Sequence, residues 1–167
     1  PTTSQPSISS FKSKFQEILK QDKEIIVIVL SSELSGTYSS AFTAAQQTKP
    51  EMISVIDSQT TVSNLRILVD TANTMAHNGE SRKDIVKEIN RQKQNMGIRL
   101  TVDTLEYLRR GGRLTNIQAF LGSIMNIKPI IGLIDGRLEA IRKVRGKNKA
   151  IESMLSDIPE NVQYIFI

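Results

Sequence analysis

The 167-residue chain has no cysteine, no tryptophan and a single histidine, His77. Without thiols there are no disulfides, thiolate metal sites or cysteine nucleophiles, which suits a reducing compartment, and a cytoplasmic location is expected. With one histidine, a Ser-His-Asp triad or a multi-histidine metal site has to be built around that ring. His77 falls in the helix-like tail Met75-Ala76-His77-Asn78-Gly79, where an imidazole is favoured by the helix dipole, so a structural surface role is expected. Aromatics are 5% of residues, few for the stacking platforms of nucleic-acid binding, and no helix-turn-helix or zinc signature occurs, so no nucleic-acid partner is expected. The longest wholly apolar run, Ile25 to Leu30, has six residues. A bilayer needs roughly 18 to 20, so no stable membrane insertion is expected.

What remains is a globular composition, 39% apolar with 22 basic and 17 acidic side chains. Phe11, Phe15, Ile18 and Leu19 recur at helical spacing behind serine caps. The β-branched run Ile25 to Leu30 suits a strand buried on both faces of a parallel sheet. A polar loop and a small-residue helix carrying Ala41, Ala44 and Ala45 follow, then a strand over Met52 to Ile56 and helices over about Ser63 to His77 and Arg82 to Asn95. Alternation of β and α predicts a parallel sheet with helices on its faces. After Gly97 the pattern changes to a strand over Ile98 to Val102, a short helix over Thr104 to Arg109 stopped by Gly111-Gly112, and a helix over Thr115 to Met125. Ile130 to Ile134, Asp135-Gly136 and Arg137 to Val144 predict a hairpin with a two-residue turn, followed by a helix over Asn148 to Leu155 and a terminal strand. The expected fold is therefore α/β in two domains, a parallel α/β domain over 1–96 and a mixed, antiparallel α+β domain over 97–167. Net charge is +1 in the first and +4 in the second.

The polar loop after the first strand is the most informative segment. Ligands of open α/β sheets gather beyond the carboxyl ends of the strands, facing the N-terminus of the next helix. Gly36 permits close backbone approach there, and Ser35 and Thr37 supply neutral donors to a carboxylate or phosphate. The same residues also suit a plain helix cap. Thr2 to Ser7 is a second hydroxyl-rich stretch, by itself a proline turn with caps. Asp57-Ser58 at the second strand end reads as a turn or cap, or as a base or metal ligand. A small-anion hydrolase or phosphotransferase using the Ser35 and Asp57 loops is the enzymatic alternative, although no activating base adjoins Ser35 in sequence. Arg109, Arg110 and Arg113 surround two glycines, and Arg142, Lys143, Arg145, Lys147 and Lys149 form a second basic group. Such clusters are solvated faces or meet an acidic partner. Nucleotide-binding glycine motifs are absent, and no cofactor is expected.

Six segments in order resemble the DegV family: Thr3-Ser4-Gln5-Pro6-Ser7, Ser31-Ser32-Glu33-Leu34-Ser35-Gly36-Thr37-Tyr38, Ile56-Asp57-Ser58, Thr104 to Arg113, Ile127-Lys128-Pro129-Ile130 and Lys143-Val144-Arg145-Gly146. The resemblance implies a bacterial lipid-binding carrier of fatty acid metabolism, not an enzyme. It would hold one long-chain fatty acid, such as palmitate, between two domains and present the carboxylate to an ATP-dependent fatty acid kinase subunit. Thr3 and Ser35, beside Gly36, match the family's carboxylate-binding hydroxyls, and Arg113 and Arg145 match arginines that engage the kinase. Val62, Asn64 and Arg66 stand where the family has a serine and two glycines. The family's N-terminal strand and a histidine expected past Ile167 are not in the sequence, which reads as a fragment at both ends.

Overall fold

The structure is a computed structural model that describes residues 3–113, 126–163 and 165–166. The chain divides into two compact units, Pro1–Met96 and Gly97–Ile167.

The first unit is built on two parallel strands, β1 (Ile25–Val29) and β2 (Ile53–Asp57), in register from Ile25 opposite Ile53 to Val29 opposite Asp57. Side chains alternate across the sheet, so each strand feeds two cores. Ile25, Val27, Ile53 and Val55 meet Phe11 and Phe15 of α1 (Ile8–Leu19) and Ala44 and Ala45 of α2 (Thr37–Gln46). Ile26, Ile28 and Ile56 meet Leu68 of α3 (Val62–His77) and Ile85 and Ile89 of α4 (Arg82–Gln92). The small residues of α2 explain its close approach, since Ala41 and Ala44 are fully buried.

The caps follow from local chemistry. Ser7 Oγ accepts from Ser10 N at the start of α1. Ser81 Oγ accepts from Asp84 N and donates to the Asp84 carboxylate at α4, a side-chain variant of the capping box in which the carboxylate meets the hydroxyl and not the N-cap amide. His77 closes α3, its Nδ1 2.8 Å from Asn73 O.

The second unit carries an antiparallel sheet ordered β3 (Ile98–Thr101), β4 (Ile127–Ile134), β5 (Arg137–Arg145). Asp135 and Gly136 both have positive φ, 48° and 81°, the geometry of the hairpin turn whose twist matches the strands. The pairing slips between Ile130 and Ile131: Ile130 faces Arg142, Ile131 faces Ala140, and Ile141 is the extra residue. Ile141 leans on Gly132, where a Cβ would stand 2.6 Å from Ile141 Cδ1. Helix α5 (Glu106–Arg110) supplies Leu108 to the core around Ile131, and α6 (Lys147–Leu155) buries Ala150. Arg142 donates to Ser153 and Asp157, and Arg99 also pairs with Asp157. This network ties the end of α6 to the sheet.

Two strand expectations need correction. β4 begins at Ile127 rather than Ile130 and includes Pro129. The β3 ladder stops at Ile130, so the missing N–H of Pro129 lies past its end and costs no bond on that side. The terminal strand does not form over the described residues 162, 163, 165 and 166; Val162, Ile165 and Phe166 are exposed, and an unpaired apolar run gains nothing from extension. The helix expected over Thr115 to Met125 lies outside the described residues. Among the described residues no helix is long and apolar enough to cross a membrane.

Candidate functional site

Parallel neighbours end side by side, so the loops after β1 and β2 adjoin. Ser58 N donates to Val29 O at 3.1 Å, and Ser31 N donates to Thr60 O at 2.9 Å. Ser31 and Ser58 are fully buried. Ser58 Oγ accepts from Thr60 N, and Ser31 Oγ accepts from Glu33 N. Asp57 closes the junction: its carboxylate accepts from Ser32 N at 3.2 Å, Ser32 Oγ at 2.5 Å and Gln59 N at 3.0 Å. Lys93 Nζ donates to Asp57 O at 3.0 Å.

Within the first loop Ser35 N donates to Ser31 O, and Ser35 Oγ lies 2.8 Å from Thr37 Oγ1. Gly36 is the residue before α2 and makes no side-chain cap; Ser35 Oγ accepts from Thr37 N, at 3.3 Å. Two hydroxyls thus stand at an uncapped helix start, a combination suited to an anionic oxygen. Gly36 lies close against a neighbour: a Cβ there would stand 2.9 Å from Gln5 Nε2 and 3.0 Å from Gln5 Cδ. Gln5 belongs to the other hydroxyl-rich segment, so that stretch runs against the Ser35 loop. Thr3 lies two residues before Gln5 and is exposed.

Asp57 is a junction residue here. Its carboxylate's described bonds come from Ser32 and Gln59, and no described hydrogen bond links it to Ser35. Val62 begins α3 with φ 45° and is 68% exposed, while Arg66 pairs with Asp70 at 3.4 Å. Among the described residues no three His, Asp or Glu side chains gather to hold a metal.

The basic groups lie in the second unit. Arg109 and Arg110 both donate to Glu106, and these hydrogen bonds hold the Glu106 carboxyl at about 2. Arg113 donates through Nη1 to Gly111 O, and its N–H reaches Leu108 O. Arg145 is exposed at the end of β5, opposite Ile127. A groove of about 450 Å³ lined by Glu24, Ser54, Ser81 and Arg82 sits at the other ends of β1 and β2. Arg82 spans it by donating to Glu24 and Ser54.

The sequence singled out Ser35, Gly36 and the N-terminal hydroxyls; the structure adds Gln5, whose side chain lies against Gly36, and Thr60, whose carbonyl accepts from Ser31 N between the two loops. The available signal for Thr60 was its place three residues past the end of β2, the neighbour of β1.

The DegV family model, described as an uncharacterised protein family, matches residues 1–164. A DegV domain-containing protein of Caldanaerobacter subterraneus subsp. tengcongensis is 40% identical over 151 residues, 90% of this chain and 54% of that protein. Among solved structures, a DegV family protein from Thermus thermophilus, reported for its fatty acid binding, superposes with a TM-score of 0.86 at 37% identity, covering 94% of this chain and 56% of that one. A stearic acid-binding protein from Eubacterium ventriosum superposes with a TM-score of 0.80 at 26% identity, covering 93% of this chain and 55% of that one. The chain thus spans little more than half the length of these relatives. With the match running through both units and both hydroxyl segments, the chain belongs to the DegV family.

Proposed function

We propose that this chain belongs to a protein that binds a long-chain fatty acid and presents its carboxylate to a separate ATP-dependent kinase, performing no chemistry itself. The observation that carries the reading is the contact of Gln5 with Gly36. It supports convergence of Thr3 and Ser35 on one head group, beside an uncapped helix start. The tail, of palmitate length, is assigned in this proposal to the space between the two domains. Burial contributes about 0.8 kcal/mol per CH₂, which makes sequestration of such a tail strongly favourable. Hydroxyl donors orient the carboxylate without neutralising it, leaving an oxygen nucleophilic enough to accept a phosphoryl group.

Arg113 and Arg145 are proposed to meet the kinase. Charge supports this, because the second unit holds most of the excess positive charge, and guanidinium groups suit an acidic protein face. A kinase partner places the protein in the cytoplasm, where ATP is supplied, in keeping with its lack of cysteine.

The test compares native and denatured masses of protein purified from a bacterial host. A stoichiometric long-chain fatty acid in the difference supports the reading, and an empty protein that also rejects added palmitate overturns it. Ser35→Ala should weaken fatty acid binding, and Arg113→Ala should spare it while lowering kinase turnover. Unchanged affinity in the first removes Ser35 from the head-group site; loss of lipid in the second removes Arg113 from the partner surface.

A further inference from the structure

The loops after β1 and β2 hold their polar groups to one another almost completely. Ser31, Ser32, Ser35, Thr37, Asp57 and Ser58 all have hydrogen-bond partners. Thr60 Oγ1 does not. Thr60 is 3% exposed, and its hydroxyl is the one buried side-chain polar atom without a partner among the described residues of the first unit. Its backbone is fixed on both sides, with N donating to Ser58 Oγ and O accepting from Ser31 N and Ser58 Oγ. A buried hydroxyl left unpaired is costly, whereas one that meets an anionic oxygen makes one of the stronger hydrogen bonds available to a neutral side chain.

The geometry points to Thr60 Oγ1 as a further donor to the ligand's carboxylate, reached from the β2 loop while Ser35 reaches it from the β1 loop. This rests on the fatty acid reading given above and adds a residue to its head-group site. Three features carry it. Thr60 lies at the same carboxyl ends of the parallel strands as Ser35, where ligands of such sheets bind. It is joined to the Ser35 loop through Ser31, whose N–H bonds Thr60 O and whose O accepts from Ser35 N. Its hydroxyl is buried in these two loops and has no partner there. Two neutral donors from different loops would fix the carboxylate plane, which one donor leaves free to rotate.

The experiment measures affinity of the 167-residue chain for oleate by displacement of fluorescent cis-parinaric acid, in the unsubstituted chain, Thr60→Val and Thr60→Ser. The valine variant keeps the shape and removes the hydroxyl; the serine variant keeps the hydroxyl. Expected is a loss of roughly tenfold or more in Thr60→Val, with Thr60→Ser within about threefold of the unsubstituted chain. A thermal melt of each separates binding from folding, since removing an unpaired hydroxyl should leave the midpoint unchanged or raised. Oleate labelled with ¹³C at its carboxyl adds a readout that packing alone would not move: its resonance should shift between the unsubstituted chain and Thr60→Val. Equal affinity and an unshifted resonance in Thr60→Val overturn the assignment of Thr60 and leave the fatty acid reading standing. Failure of the unsubstituted chain to bind oleate overturns both. Should Thr60→Val fail to fold, Thr60→Ala still decides, because removing the hydroxyl must lower affinity and move the carboxyl resonance if Thr60 touches the ligand.

Discussion

Ser32 Oγ donates to Asp57 Oδ2 at 2.5 Å, across 25 residues of sequence, and joins the loop after β1 to the end of β2. Asp57→Ala would leave Ser32 Oγ, Ser32 N and Gln59 N without this acceptor. The expected cost is about 1 to 3 kcal/mol of folding free energy, read from urea unfolding, together with weaker fatty acid binding because the Ser35 loop loses its tether. An unchanged unfolding midpoint would show that the junction holds without the carboxylate.

Gly36→Ala tests the contact between the two hydroxyl segments. The new methyl would collide with the far end of Gln5, a side chain able to swing aside, and φ at Gly36 is −68°, acceptable to alanine. Stability should therefore fall by less than about 1 kcal/mol, while fatty acid affinity falls as residues 3–7 are displaced. Parallel melts and binding curves separate these effects, and equal affinity would show that the N-terminal segment plays no part in holding the ligand.

In the second unit Gly132→Ala should act in the opposite sense, on folding alone. Its methyl would enter buried space 2.6 Å from Ile141 Cδ1 and 3.2 Å from Arg99 Nη1. Overpacking of this kind costs about 1 to 3 kcal/mol. Chemical denaturation followed by circular dichroism measures it.

Acid should weaken the same unit. Hydrogen bonds from Arg142, with further help from Arg99, hold the Asp157 carboxyl below the usual aspartate value of 3.8. A depressed folded-state pKa contributes stability that is complete above the unfolded value and lost as pH falls through the folded one. The urea midpoint should thus decline below about pH 4, and Asp157→Asn should show a lower midpoint at neutral pH with a shallower decline. Glu106 of the same unit, held at about 2 by hydrogen bonds from Arg109 and Arg110, keeps part of the acid slope in that variant.

Much of this architecture was legible in the chain. The apolar period over Phe11, Phe15, Ile18 and Leu19, the block Ile25 to Leu30 and the Asp135-Gly136 turn each state a local preference that packing reinforces. The start of β4 was hidden by Pro129, which argues against a strand until the end of the β3 ladder at Ile130 is known. The terminal strand expected over Val162 to Ile167 does not form over the described residues there, because an apolar run names no partner strand. At the site, Ser35 and Gly36 stood out through their place after a strand. Gln5 and Thr60 did not, since their meaning comes from neighbours 31 and 29 residues away in sequence.

The bonds from Ser58 N to Val29 O and from Ser31 N to Thr60 O prolong the β1–β2 ladder beyond the strands themselves. Both loops are thereby held by the sheet, and their amides should exchange with solvent only when the strand ends part. A ligand arriving at such a surface finds its donors already arranged and pays no ordering entropy to assemble them. On the proposed fatty acid reading, capture would then be governed by encounter and tail insertion, and release by breaking contacts within a frame that stays in place.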